Sequence, residues 1–179
     1  MRVVSGKYRN RKLVAPEGMT TRPTMDMVKE AMFNILGHKV YDAMVLDLFS
    51  GSGALGIEAI SRGAKMVVFN DADTKAYRTI LHNIECLRIT ESHLVSNLDY
   101  LRCLETIKDK LDIVLLDPPY KEKIYAEILN ILESRALLNP HAIVVIESDL
   151  DYTYIPVDGY DNKEYKYGSK KLLVLRRRS

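Results

Sequence analysis

The chain has 179 residues, 47% of them hydrophobic and 28% charged, which suits one globular domain with its own core rather than a disordered or fibrous chain. No apolar stretch is long enough to span a bilayer, Met1-Arg2-Val3-Val4-Ser5-Gly6-Lys7 lacks the core of a signal peptide, and Cys86 and Cys103 form no C-x-x-C pair; a cytoplasmic protein without a membrane span, a disulfide or a metal centre is expected. The formal charge of +2 hides an asymmetry, since residues 1–30 carry seven Lys/Arg against three acids and residues 163–179 seven against one, leaving the middle at about −8, a pattern that fits a polyanion held at the basic ends.

At the start, Val3-Val4 and Leu13-Val14 flank the basic loop Lys7-Tyr8-Arg9-Asn10-Arg11, which predicts a small β-hairpin. Arg22-Pro23-Thr24 leads into a helix over Met25 to Leu36, where Val28, Met32, Ile35 and Leu36 recur at helical spacing. Short apolar runs then alternate with longer amphipathic ones, the signature of βα units and a parallel sheet. Val45 to Phe49 reads as a first strand, followed by Ser50-Gly51-Ser52-Gly53 and a helix from Ala54 to Arg62 closed by Gly63. Lys65 to Phe69 is the second strand and Thr74 to Leu87 a helix with Ala76, Ile80, Ile84 and Leu87 on one face. His93 to Ser96 is the third strand, with a helix over Asp99 to Lys108. Leu111 to Leu116 is the fourth, with a helix over Ile124 to Ser134, and Ala142 to Glu147 is the fifth. Asp161 to Tyr167 and Lys171 to Arg177 form a hairpin turning at Gly168-Ser169. The expectation is one α/β domain, with residues 1–38 as a basic extension and residues 39–179 as a catalytic core.

Asp117-Pro118-Pro119-Tyr120 closes the fourth strand, and the carboxyl ends of strands in an open α/β sheet are where ligands bind. The two prolines supply no ladder N–H groups, so the strand stops and its carbonyls turn outward. An acid, a free carbonyl and an aromatic face suit a planar base that carries an amino group: Asp117 and the Pro118 carbonyl accept its N–H bonds and Tyr120 stacks on it. Asp47-x-x-x-Gly51-x-Gly53 occupies the turn from the first strand into the first core helix, where glycines let a ligand approach the backbone. No Gly-Lys-Ser/Thr follows, which excludes a P-loop, whereas Gly51, Gly53 and Gly56 do match G-x-G-x-x-G and leave a dinucleotide fold open. Asp71, twenty residues after Gly51 at the end of the second strand, can take both hydroxyls of an adenosine ribose. Asn97, just beyond the third strand, is placed to read an adenine edge, and Asp99 is the alternative in the next register.

These motifs, in this order, resemble those of class I S-adenosylmethionine-dependent methyltransferases that modify exocyclic amino groups. More closely, Arg22-Pro23-Thr24 through Phe33-Asn34-Ile35-Leu36, then Gly56-x-Glu58-Ala59-x-Ser61-Arg62-Gly63-Ala64, together with the Arg2-Val3-Val4-Ser5-Gly6 opening and Tyr167-Gly168, resemble the RsmD-type bacterial 16S ribosomal RNA guanine-N2 methyltransferases over nearly the whole chain.

The resemblance implies a Rossmann-like fold, a mostly parallel seven-stranded sheet ending in an antiparallel hairpin. It implies S-adenosyl-L-methionine as cofactor, S-adenosyl-L-homocysteine as product, and ribosomal RNA or a small-subunit particle as partner. Asp47, Phe49, Ser50, Gly51 and Gly53 would surround the methionine part, Asp71 and Ala72 the ribose, Asn97 the adenine, and Asp117 to Tyr120 the target base, with Asp117 also touching the cofactor. Arg2, Lys7, Arg9, Arg11, Lys12 and Arg22 are the expected phosphate contacts, with Arg176, Arg177 and Arg178 as further ones. An amino-directed DNA methyltransferase, a protein glutamine methyltransferase and a non-catalytic RNA-binding module are the rival readings. The small size without a sequence-reading domain disfavours the first, the basic ends the second, and the presence of both pocket motifs the third.

Overall fold

The computed structural model describes residues 1–18, 23–117, 124–154 and 156–178, with the backbone alone at 23–25. A helix, α1 (Pro23–Leu36), and a single 3-10 turn (Gly37–Val40) precede the sheet. Strands and helices then alternate as β1 (Met44–Asp47), α2 (Ala54–Ser61), β2 (Met66–Asn70), α3 (Thr74–Leu87), β3 (His93–Ser96), α4 (Tyr100–Thr106), β4 (Leu111–Leu116), α5 (Ile124–Ser134) and β5 (Leu138–Asp149). The chain closes on β6 (Tyr160–Tyr167) and β7 (Lys170–Arg177). The sheet order is β3-β2-β1-β4-β5-β7-β6, parallel from β3 to β5, with β7 antiparallel between β5 and β6. This is the expected architecture, and the strand order reverses direction at β1 and β4, where a ligand crevice opens.

Side chains alternate across the strands into two cores. Val45, Val67, Ile113, Val145 and Val174 join one core with α1, α2 and α3, while Leu46, Val68, Val114, Val144 and Leu173 join the other with α4 and α5. Both faces of the parallel strands are covered, which is why these strands read as continuous apolar runs.

Several boundaries shift by one or two residues from the sequence expectation, and three differences have a clear physical cause. β1 ends at Asp47, because Leu48 and Phe49 already belong to the turn. β5 begins at Leu138 instead of Ala142: Asn139-Pro140-His141 looks like a breaker, and His141 does take φ +63°, but the strand absorbs it as an irregularity in its pairing with β4 and carries on. The predicted N-terminal hairpin reduces to one antiparallel bridge, Arg2 with Lys12. Its inner amides go elsewhere, since Val4 and Ser5 donate to the Glu58 carboxylate at 2.8 and 3.0 Å and Tyr8 donates to Ser61 Oγ at 2.9 Å.

That docking explains the Glu58 and Ser61 motif. Glu58 is fully buried on α2, where it also accepts from Arg62 Nε at 2.8 Å and lies 3.4 Å from Lys29 Nζ of α1. Gly6 is forced by the same contact, because a Cβ there would sit 1.8 Å from the Ser61 carbonyl oxygen and φ is +81°. Burial pulls the Lys29 pKa below its ordinary value against the opposing pull of Glu58 and Asp26. On the far side, Lys7 Nζ and the Tyr8 hydroxyl donate to Glu91 at 2.5 and 2.6 Å.

Candidate functional site

A cavity of about 710 Å³ opens at the carboxyl ends of the parallel strands, within the size range of small-molecule sites. Its floor is the turn after β1. The helix N-cap of α2 is Gly53 at φ +79°, with no side-chain cap of its own. The cap comes from the strand beneath instead: Asp47 Oδ2 accepts from the Gly56 amide at 2.9 Å, so the carboxylate sits against the positive end of the helix. At 1% exposure this carboxyl is shielded from water, and burial pushes its pKa up to about 7 despite the Gly56 and Ser50 hydrogen bonds. Gly56 has no room for a side chain, since its Cβ would meet the Phe69 ring at 2.2 Å.

Asp71 forms the next wall. Its Oδ2 accepts from the Gly51 amide at 2.8 Å and its Oδ1 from the Asp73 amide at 2.9 Å, which locks the acid to the glycine turn. Each oxygen keeps further lone-pair capacity toward the cavity, as a ribose diol requires. Buried Asn70 pins the neighbouring loops: it donates to the Leu48 and Leu98 carbonyls and accepts from Ser96 Oγ and the Leu98 amide. Asn83 of α3 does the same below, accepting from the Val14 amide and donating to the Val14 and Ser52 carbonyls at 2.9 Å.

Of the expected site residues, Phe49, Ser50, Gly51, Asp71, Ala72 and Asp117 line this one cavity. Asp47 and Gly53 stand behind the lining, where they hold the turn. Asn97 also stands aside: its amide donates to the carbonyls of Asp71 and Ala72, and its oxygen accepts from Thr74 Oγ1. Asp99 lines the cavity instead, and its Oδ1 caps α4 through the Arg102 amide at 3.0 Å. Pro118 and Tyr120 of the predicted target-base corner lie outside the described residues, as does Arg22.

Sequence reasoning missed Met1, Asp26, Lys29, Tyr100, Glu147 and Lys170, all of which line the cavity. Glu147 had a legible signal, since it follows an apolar run as Asp117 does. Asp26 and Lys29 reach the crevice only because α1 packs beside α2, which no local pattern announces. Tyr100 packs its ring 6.0 Å from Phe49 and donates its hydroxyl to Glu127 of α5 at 2.6 Å.

The basic residues of the opening segment divide. Lys7 is paired with Glu91, and Arg11 donates to the Cys86 carbonyl at 3.4 Å. Arg2, Arg9 and Lys12 are exposed on the same segment. Among the described residues no cluster of His, Cys, Asp and Glu could hold a metal ion, and no helix is long and apolar enough to cross a membrane.

The family described as Conserved hypothetical protein 95 matches residues 1–176. Ribosomal RNA small subunit methyltransferase D of Escherichia coli K12 is 34% identical over 151 residues, 84% of this chain and 76% of that protein. The solved structure of yhhF from Escherichia coli superposes with a TM-score of 0.88 at 31% identity and covers 99% of this chain and 98% of that one. The 16S rRNA N2 G1207 methyltransferase RsmC of Thermus thermophilus, solved in complex with AdoMet and guanosine, shares the fold at a TM-score of 0.73 and 22% identity, covering 92% of this chain and 45% of that one. The sheet order, the glycine turn and the acid at the end of β2 thus sit in a Rossmann-like class I methyltransferase fold, and the chain belongs to the Conserved hypothetical protein 95 family, together with the ribosomal RNA small subunit methyltransferase D proteins.

Proposed function

We propose that the protein methylates the exocyclic N2 amino group of a guanine in 16S ribosomal RNA, with S-adenosyl-L-methionine as methyl donor and S-adenosyl-L-homocysteine as product. The observation that carries this reading is the single crevice shared by the glycine turn, Asp71 and Asp117. The relative named for small-subunit ribosomal RNA favours RNA over the DNA alternative, and the guanosine in the RsmC complex favours a guanine amino group.

The residues present fit the donor. Asp71 offers its remaining lone pairs to a ribose, Leu98, Ala76 and Phe49 give apolar wall to an adenine and a thioether, and Asp99 stands where Asn97 was expected to meet the adenine edge. When bound, S-adenosylmethionine supplies a methyl group already activated by its sulfonium charge. The chain therefore needs to orient the amino nitrogen and to exclude competing water. Asp117 accepts the amino N–H bonds, which localises the nitrogen lone pair and stabilises the positive charge that develops on it. Its part is hydrogen-bond acceptance, not general-base catalysis. Residues 1–38 act as the RNA-holding extension on a catalytic core of residues 39–179, with Arg2, Arg9 and Lys12 as the exposed phosphate contacts. The reaction takes place in the cytoplasm, on ribosomal RNA or an assembling small subunit.

The test is transfer of labelled methyl to small-subunit particles that lack the modification, with the product nucleoside identified by mass spectrometry. N2-methylguanosine is expected, and Asp117→Ala abolishes its formation while cofactor affinity stays within a few fold. Label in DNA but not in ribosomal RNA, or undiminished turnover of the variant, would overturn the proposal.

A further inference from the structure

The parallel pairing of β4 and β5 ends at Leu116 with Ile146, and Asp117 and Glu147 are the next residue on each chain segment. Ile113 and Leu115 face the core formed with α1 to α3, as do Ile143 and Val145 of β5 and Leu172 and Val174 of β7. By the period of two, Asp117, Glu147 and Lys170 project from that same face, and all three line the cavity. Asp117 follows β4, Glu147 lies on β5 and Lys170 on β7, and β5 lies between β4 and β7.

We propose that Asp117, Glu147 and Lys170 form an acceptor, acceptor, donor row that reads the Watson–Crick edge of the target guanine. The N2 amino group donates to Asp117, N1–H donates to Glu147, and O6 accepts from the Lys170 ammonium. This rests on the proposed function and deepens it by naming what selects the base. Adenine places the unprotonated N1 beside its amino group, and cytosine the unprotonated N3; either sets a lone pair against the Glu147 carboxylate. The row thus admits an amino group only where a ring N–H adjoins it.

Strands lie about 4.8 Å apart, wider than neighbouring atoms on a base edge, so the side chains must converge. Lys170 and Glu147 do: Lys170 Nζ lies 3.9 Å from Glu147 Oε1 and 3.1 Å from Asp149 Oδ1, with the Glu147 side chain 16% exposed, and Asp117 is close enough for its charge to act on Lys170. Asp149 anchors the ammonium from behind. Burial pulls the Lys170 pKa down, but the Asp149 hydrogen bond and the nearby Glu147 and Asp117 carboxylates outweigh it and leave the pKa above its ordinary value, so the donor stays charged.

Nucleoside binding to the full chain loaded with S-adenosylhomocysteine tests the row. Guanosine is compared with 2-aminopurine riboside, which keeps the C2 amino group but carries an acceptor at N1 and no O6. The wild type should prefer guanosine by at least about tenfold, the factor carried by one hydrogen bond to a charged group. Glu147→Gln and, separately, Lys170→Met should reduce that preference to within about threefold of unity, each variant still melting cooperatively and still binding S-adenosylhomocysteine. Equal binding of the two nucleosides by the wild type, or full preference in both variants, would overturn the row. If the same preparation methylates small-subunit ribosomal RNA, that result sinks the row alone, whereas absence of methyl transfer to ribosomal RNA sinks the proposed function itself.

Discussion

Asp47→Asn separates the structural role of this carboxyl from any direct role at the cavity. The wild-type group is 1% exposed, and its pKa is raised from 3.8 to about 7. Because the folded pKa exceeds the unfolded one, the native state holds the proton more tightly. The resulting stabilisation is full below about pH 4 and is lost as pH rises through 7. At about 1.4 kcal/mol per pKa unit, the wild type loses on the order of 2–3 kcal/mol from this group between pH 5 and pH 8. Asparagine does not titrate, yet it still offers an oxygen to the Gly56 amide. Urea unfolding at both pH values should show the stability of the variant relative to wild type rising by that amount from pH 5 to pH 8. In melting temperature the same change is roughly 4–12 °C for a chain of this length. A difference that is flat with pH, or that grows toward acid, would refute the claim that burial governs this carboxyl.

Gly56→Ala gains about 1 kcal/mol of helix propensity but drives a methyl into the Phe69 ring, an overpacking that costs about 1–3 kcal/mol. A net loss of melting temperature is expected, partly restored by Phe69→Leu in the same chain; an unchanged or raised value would count against the close packing. Glu58→Gln leaves Lys29, itself 3% exposed, without its ion-pair partner, which costs about 3–5 kcal/mol. Adding Lys29→Met should recover most of that loss in chemical denaturation, and a double variant no more stable than Glu58→Gln would argue against the pairing. Replacing Arg9 and Lys12 together by Gln should weaken RNA binding and lower the slope of log affinity against log salt by about two contacts. If the slope is unchanged, these two side chains do not meet phosphate.

The alternation of elements from β1 to β5 was legible because strands buried on both faces leave uninterrupted apolar runs between amphipathic helices. Boundaries failed where a local breaker was overruled by pairing, as at Pro140 and His141 in β5, or where side chains satisfied backbone amides in place of a partner strand, as Glu58 does for Val4 and Ser5 and Ser61 does for Tyr8. The cavity was legible where chemistry stands at a strand end, as with Asp71 and Asp117. Asp47 and Asn97 carry polar groups at equally suggestive positions, yet spend them on the Gly56 amide and on the loop after β2. Sequence spacing cannot distinguish a group aimed at a ligand from one aimed at the backbone one layer behind it. Lys29 and Lys170 were illegible for another reason, since helix packing and an antiparallel strand bring them to the crevice from distant parts of the chain.

The opening segment is both a carrier of exposed cations and a wall of the cavity, through Met1, Ala15 and Pro16, and it is clamped to α2 and α3 by Glu58, Ser61 and Asn83. Two ligands that meet one segment are thermodynamically linked wherever the binding of either changes the free energy of binding the other. By whatever factor an occupied cavity tightens the grip of this segment on a polyanion, the polyanion must tighten the grip on the occupant by the same factor. A sequential order of binding would then be a kinetic preference only, and the coupling measured from either side would give one number.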